Sequence, residues 1–327
     1  MRTYPPLPHQ PRFVFALLLP TILAIFLTSL TASAQIRTDG CDAFRELLKN
    51  KPPGDQKAGS VLFFAKYTSD TIDPQREDTR INITNIHPMQ DIDVHLYFVD
   101  GSTCSIADAQ LTLTPNQTVA FLASDLDPGI VGYLVAVANY SGVPTQFNYL
   151  MGDAYYHELS GLTAMLPAMA VEKVSGGDLR VTPESTADMV FDGAEYERLP
   201  QTVAVSSFNS QITDETTLAL FVPTTNLGIG TNDSNSIFTL VYDDIERVRS
   251  TSFLIRCYRR MPLSGLRVID GINNFVREGH TGWIKMTTMN ERPILGAAFT
   301  RGLRFSGALN FKHISLLPTY TITVPVF

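Results

Sequence analysis

The chain has 327 residues, with 25 Lys and Arg against 32 Asp and Glu and a formal net charge of −7. That balance supplies no basic stripe for a phosphate backbone, which excludes nucleic acid as a partner. Charged residues make up only 17% of the chain while Gly and Pro number 21 and 20, a composition that favours short strands and turns over helical bundles.

Residues 1–12 carry Arg2 and Arg12 without an acid, and Phe13 to Leu30 is uncharged and mostly apolar up to Thr31-Ala32-Ser33-Ala34-Gln35. A basic start, an apolar middle and small residues at the cut predict a secretory signal peptide over 1–34, cleaved after Ala34. The alternative is a retained anchor, because the apolar run is just long enough to span a bilayer. Cleavage removes two Arg and no acid, so residues 35–327 carry a net charge of −9. No second apolar run approaches membrane-spanning length, and Thr38-Asp39-Gly40 before Cys41 lacks the apolar residue of a lipidation signal. The expected product is secreted, periplasmic or at the cell surface, with no membrane span after cleavage. Its length exceeds what one hydrophobic core usually serves, which favours two domains.

In chain order, residues 35–57 contain a short helix from Asp42 to Asn50, with Phe44, Leu47 and Leu48 on one side and Pro52-Pro53-Gly54 as its stop. Residues 58–160 read as the first β domain. Strands are expected at Val61–Phe64, Thr79–Thr84, Val94–Val99, Gln110–Thr114, Thr118–Leu122, Gly132–Val137 and Phe147–Met151, separated by turn formers such as Asp100-Gly101 and Asp127-Pro128-Gly129. Most alternate apolar and polar residues, the pattern of antiparallel sheets with one wet face. Residues 161–200 read as a connector with a weak helix over Ala164–Val174 and a strand near Met189–Phe191. The second β domain, 201–327, runs through strands near Gln201–Val205, Thr217–Val222, Phe238–Tyr242, Thr251–Cys257, Leu266–Ile269, Trp283–Thr287 and Ile294–Phe299, then the closing segment Tyr320–Phe327. Pro325 makes that last strand an internal edge strand, the alternative being addition to a neighbour's sheet.

One pattern occurs twice. Gly129-Ile-Val-Gly132-Tyr133-Leu134-Val135 followed by Tyr149-Leu150-Met151-Gly152-Asp153-Ala154-Tyr155 returns as Gly279-His-Thr-Gly282-Trp283-Ile284-Lys285 followed by Ile294-Leu295-Gly296-Ala297-Ala298-Phe299. The expected fold is therefore all-β: two tandem, homologous antiparallel β-sandwiches, Ig-like or jelly-roll-like, behind a short N-terminal helix.

Over Val61-Leu-Phe-Phe64, Tyr67-Thr-Ser-Asp70, Asp78-Thr-Arg-Ile-Asn-Ile-Thr-Asn85, Val94-His-Leu-Tyr-Phe-Val-Asp100, Ser105-Ile-Ala-Asp108 and Phe121-Leu-Ala-Ser-Asp-Leu-Asp-Pro-Gly129, the chain resembles an uncharacterised family of secreted bacterial β-rich proteins. The likeness is strongest across residues 60–156 and looser in the second domain. It implies export and a bacterial origin, and it brings no activity and no site residues.

Three cysteines allow one disulfide and one leftover thiol. Cys41 with Cys104 is the expected pair, both lying in the N-terminal half, and Cys257 is read as a small buried apolar residue. Acidic turns hold the calcium candidates Asp70, Asp73, Asp78, Asp125 and Asp127, set against the ordinary use of Asp as a turn former. No other cofactor is indicated. Tyr155, Tyr156 and His157 form the ligand-binding candidate, while Tyr133 and Trp283, which follow the paired glycines, are read as core anchors. No Gly-x-Ser-x-Gly elbow, His-Glu-x-x-His, Cys-x-x-Cys or phosphate loop is present, and the histidines are scattered singly. The expected function is a non-catalytic extracellular interaction or structural protein whose partner is a protein or a polysaccharide. The alternatives are a carbohydrate-binding sandwich, with or without calcium, and a hydrolase whose site leaves no motif.

Overall fold

In a computed structural model, the described residues are 51–327 except 177, 178, 180, 183, 213, 232, 304 and 327. The expected signal peptide, the helix at Asp42–Asn50 and Cys41 lie outside them.

The fold is all-β. Strands β1 (Val61–Thr68), β2 (Asp78–Asn85), β3 (Ile92–Asp100), β4 (Ile106–Leu113) and β5 (Thr118–Leu122) lead to a one-turn helix α1 (Ala123–Leu126). After it come β6 (Val131–Tyr140), β7 (Val143–Pro144), β8 (Leu150–His157), β9 (Thr163–Pro167) and β10 (Met169–Val171). They make two antiparallel sheets, one in the order β10, β1, β6, β3, β4 with β7 on β6, the other in the order β5, β2, β8, β9. Strand β11 (Thr186–Val190) precedes the second set: β12 (Pro200–Asn209), β13 (Glu215–Phe221), β14 (Asn235–Asp243), β15 (Val248–Ile255) and β16 (Tyr258–Pro262). Helix α2 (Ile272–Phe275), β17 (Thr281–Thr288), β18 (Leu295–Arg301), β19 (Ser306–Asn310), β20 (Lys312–Leu316) and β21 (Thr321–Pro325) complete the chain. Their sheets run β20, β12, β17, β14, β15 and β16, β13, β18, β19. Strand for strand this is the order of the first pair.

The registers agree as well. Strand β1 bulges between Phe64 and Tyr67, and Tyr67 then faces Gly132; β12 bulges between Val205 and Phe208, and Phe208 then faces Gly282. Glycine is required at both places because the neighbouring strand comes so close. A Cβ on Gly132 would lie 1.8 Å from the Val99 carbonyl oxygen, and one on Gly282 would lie 2.6 Å from that of Tyr242.

Two segments depart from expectation. The stretch read as a weak helix over Ala164–Val174 is extended, with β9 pairing with β8 and β10 with β1. Pro167 lacks an amide hydrogen and biases the residue before it away from helix, and edge pairing on two sheets outweighs the local propensity. Residues 163–171 of the region read as a connector thus complete the first sandwich, and β11, later in it, does not. The closing strand β21 stays within the chain and pairs with β11 instead of joining either sandwich.

One core cluster joins β1 and β6 to residues from the second half of the chain, including Ala219, Phe221, Phe299, Ile322 and Val324; a second lies inside the second sandwich around Leu218, Leu220, Ile284 and Met286. Strand β13 therefore buries both faces, alternate residues serving alternate cores. Strand β1 is buried at every position for the same reason. The ring of Tyr133 stacks on Phe221 with centroids 4.3 Å apart, and its hydroxyl accepts the Thr224 amide at 3.0 Å. Tyr133 is the expected core anchor. Its counterpart Trp283 is only half-buried, stacked on Tyr242 at 4.2 Å on the face of the second sandwich turned away from the core.

The disulfide is Cys104–Cys257, with Cα atoms 5.8 Å apart, and not the expected Cys41–Cys104. Chain position misled because the turn after β3 packs on the second sandwich. There Asp100 accepts hydrogen bonds from Ser102 and Thr103, and Gly101 donates to the Val131 carbonyl, presenting Cys104 to the residue just before β16.

Candidate functional site

Two concave surfaces are candidates. The first lies on the outer face of the sheet β5, β2, β8, β9, where Arg80 faces Leu122 on one side and Tyr155 on the other, and Tyr155 faces Met165. Asp78 faces His157 beside this row. Tyr155 is 46% exposed and Met165 49% exposed, so an open groove with one aromatic ring runs across the sheet. The expected triplet borders this groove, but only Tyr155 and His157 present their side chains to it. Successive strand residues point to opposite faces, and Tyr156 turns inward, where its hydroxyl donates to the Lys66 carbonyl at 3.0 Å and its ring meets Phe299 edge-on at 5.0 Å.

Around Tyr156 sits a buried ionic cluster. The Lys66 ammonium contacts the Glu158 carboxylate and lies 5.6 Å and 5.3 Å from the ring centroids of Tyr156 and Phe299. Arg260 of β16 donates to the other Glu158 oxygen at 2.5 Å. Burial pushes the Lys66 pKa down even against Glu158, whereas for Glu158 the two cations overcome burial and hold the carboxyl below its usual range. The cluster ties β1, β8 and β16 together and fills the space it occupies.

The second concavity is a pocket of about 330 Å³ in the second sandwich, between the bulge of β12 and strands β18 and β19. Phe208 and Phe311 are buried at its floor, and Phe305 and Leu309, 54% and 62% exposed, stand at its rim. Polar groups come from Ser206, Ser207 and Thr300 and from the amides of Asn209 and Asn310, the latter two already bonded to Asp214 and to the Pro167 carbonyl. Among the described residues the lining has no acid, histidine, lysine, arginine or cysteine. Such a surface can hold an uncharged, largely apolar group and offers it hydroxyls and amides as hydrogen-bond partners.

The calcium candidates are engaged in local hydrogen bonds. Asp70 accepts the amides of Ile72 and Asp73, bonds that lower its pKa; Asp73 accepts that of Gln75, and Asp125 that of Leu122. Asp78 accepts the amide and hydroxyl of Ser124, and Asp127 accepts the Tyr67 hydroxyl at 2.5 Å. Burial raises the Asp127 pKa against that hydrogen bond. Among the described residues no group of three or more Asp, Glu, His or Cys side chains is arranged to hold a metal ion.

The pocket was not singled out from the sequence, since none of its residue types marks chemistry. Aligning the two patterns on their paired glycines brings out the size differences, and only the packing shows that they leave room. Large residues of the first copy are small in the second, Ser207 standing for Lys66 and Thr300 for Tyr156.

No family model matches the chain, and no curated protein matches it. Among solved structures it is similar to a Thermotoga maritima protein, at 10% identity and a TM-score of 0.27, over 35% of this chain and 95% of that one. It is also similar to the PBSX exported protein XepA, at 8% identity and 0.20, over 71% of this chain and 82% of that one. The tandem CBM22 domains of Paenibacillus barcinonensis Xyn10C match at 7% identity and 0.15, over 73% and 79%. Likenesses at this level carry no argument about function.

Among the described residues no helix is long and apolar enough to cross a membrane.

Proposed function

We propose that this is an exported, non-catalytic binding protein made of two copies of one β-sandwich, with the pocket of the second copy as its ligand site. The observation that carries the reading is the lining of that pocket. It offers aromatic and aliphatic surface, a few hydroxyls and amides, and no titratable group among the described residues. The Cys104–Cys257 disulfide supports export, because such bonds persist in oxidising compartments. Matching strand orders and bulges support descent from one sandwich.

Thermal unfolding of the disulfide-intact protein with a panel of uncharged ring compounds tests this reading. A ligand that binds only the folded state raises the midpoint. A shift that disappears in Gly307→Leu, which places a side chain where nothing lies within 4 Å, supports the pocket; no shift with any compound counts against it.

A second reading rests on the groove at Tyr155. A half-exposed ring beside Arg80 and His157 combines a stacking surface with hydrogen-bonding groups, the combination that a polysaccharide partner needs. Retention on insoluble polysaccharide that is lost in Tyr155→Ala would favour it over the pocket.

A further inference from the structure

The two sandwiches permit a comparison inside one molecule. Tyr156 faces Thr79 across the strand pair, and Thr300 faces Thr216; Ala164 faces Tyr156 on the other side, and Gly307 faces Thr300. The second bulge residue is Lys66 in β1 and Ser207 in β12, counted from the same paired glycine. These positions around the pocket therefore have counterparts in the first sandwich; Phe311, whose amide donates to Gly296 as that of Ala168 does to Gly152, is larger in the second. There the counterpart space is filled. The Tyr156 ring occupies it at 2% exposure, with its hydroxyl on the Lys66 carbonyl, and Leu166 and Leu162 beside it are 2% and 3% exposed. Their counterparts at the pocket rim, Leu309 and Phe305, are open to solvent, and Thr300 has no ring to place beside them.

We propose that the pocket takes a phenol ring from outside the chain, seated where Tyr156 sits in the first sandwich and donating its hydroxyl to the Ser207 carbonyl. This rests on the reading of the pocket as the ligand site. Three features agree with a phenol over a charged or purely aliphatic group. Phe208 and Phe311 supply buried aromatic surface for a ring to pack on. The lining has no charge to pair with an ion, and burying an unpaired ion is costly. The backbone oxygen of the bulge is the acceptor that the same fold uses for a tyrosine hydroxyl 3.0 Å away in its other copy. A phenol reaches such a site either as a free compound or as the tyrosine side chain of a peptide.

Calorimetric titration of the disulfide-intact protein with p-cresol, toluene and Gly-Tyr-Gly tests the proposal. Saturable 1:1 binding of p-cresol, about tenfold tighter than toluene because one hydrogen bond is added, is the expected result. If Gly-Tyr-Gly binds as tightly as p-cresol, a tyrosine side chain is the source; if only p-cresol binds, free phenols are. Thr300→Tyr refills the site from within and abolishes binding while keeping or raising the melting temperature; Gly307→Leu does the same by a smaller change should Thr300→Tyr fail to fold. Equal binding of p-cresol and toluene would overturn the phenol and leave an apolar ligand pocket standing. No binding of any of the three, in a protein that melts cooperatively, would overturn both.

Discussion

Cys104 and Cys257 are 153 residues apart in sequence and bonded to each other, joining the turn after β3 of the first sandwich to the residue preceding β16 of the second. A link across so long a loop removes a large share of the unfolded chain's freedom. The chain-entropy model gives about 5 kcal/mol, an upper value because the unfolded state keeps residual structure. Reduction, or the double substitution Cys104→Ser and Cys257→Ser, is expected to lower the denaturation midpoint with no change in secondary structure, measured by circular dichroism in urea. An unchanged midpoint would mean that the sandwiches are held together by their shared core alone.

The Lys66–Glu158–Arg260 cluster predicts an asymmetric response to substitution. Glu158→Gln leaves a buried lysine without its counter-charge and should cost about 3–5 kcal/mol. Arg260→Gln, at the partly exposed end, should cost less than half as much. Paired urea melts of the two variants measure the difference, and equal losses would show that Lys66 does not depend on Glu158.

Tyr133 predicts a separable ring and hydroxyl. Phe221→Ala removes its stacking partner at the junction of the two halves and should cost about 3–5 kcal/mol. Tyr133→Phe keeps the ring but leaves the Thr224 amide without its acceptor, at about 1–3 kcal/mol. Calorimetric unfolding of the two variants should therefore rank Phe221→Ala as the more damaging; the reverse order would place the junction's strength in the hydrogen bond.

His313 of β20 predicts acid sensitivity. Burial lowers its pKa to about 4, Asp55 opposing and Lys312 and Lys57 adding to the fall. In the unfolded chain the imidazole titrates near 6.5, so between those values the unfolded state binds more protons and stability rises with pH. The contribution is complete above about pH 6.5 and is lost as pH falls towards 4, by about 3 kcal/mol. Urea midpoints from pH 4 to 7 should show a slope that His313→Gln flattens; an identical slope in the variant would assign it to other groups.

The all-β class and most strand positions were legible in the residues alone, because alternation, turn residues and the two glycine pairs are local signals that no distant contact has to supply. Gly132 and Gly282 were legible as a repeat since a close strand approach admits no side chain. The tertiary structure decided what is made of that repeat. It split Tyr155 from Tyr156, one outward and one inward, by the two-residue period of a strand. It paired Cys104 with Cys257 across the junction, a choice set by packing and invisible in spacing. It also made Ala164–Val174 into edge strands, where pairing outweighs propensity. The pocket belongs to the same class of fact: Ser207 and Thr300 carry no chemical signature, and only the packing around them shows the room left by a missing lysine and a missing ring.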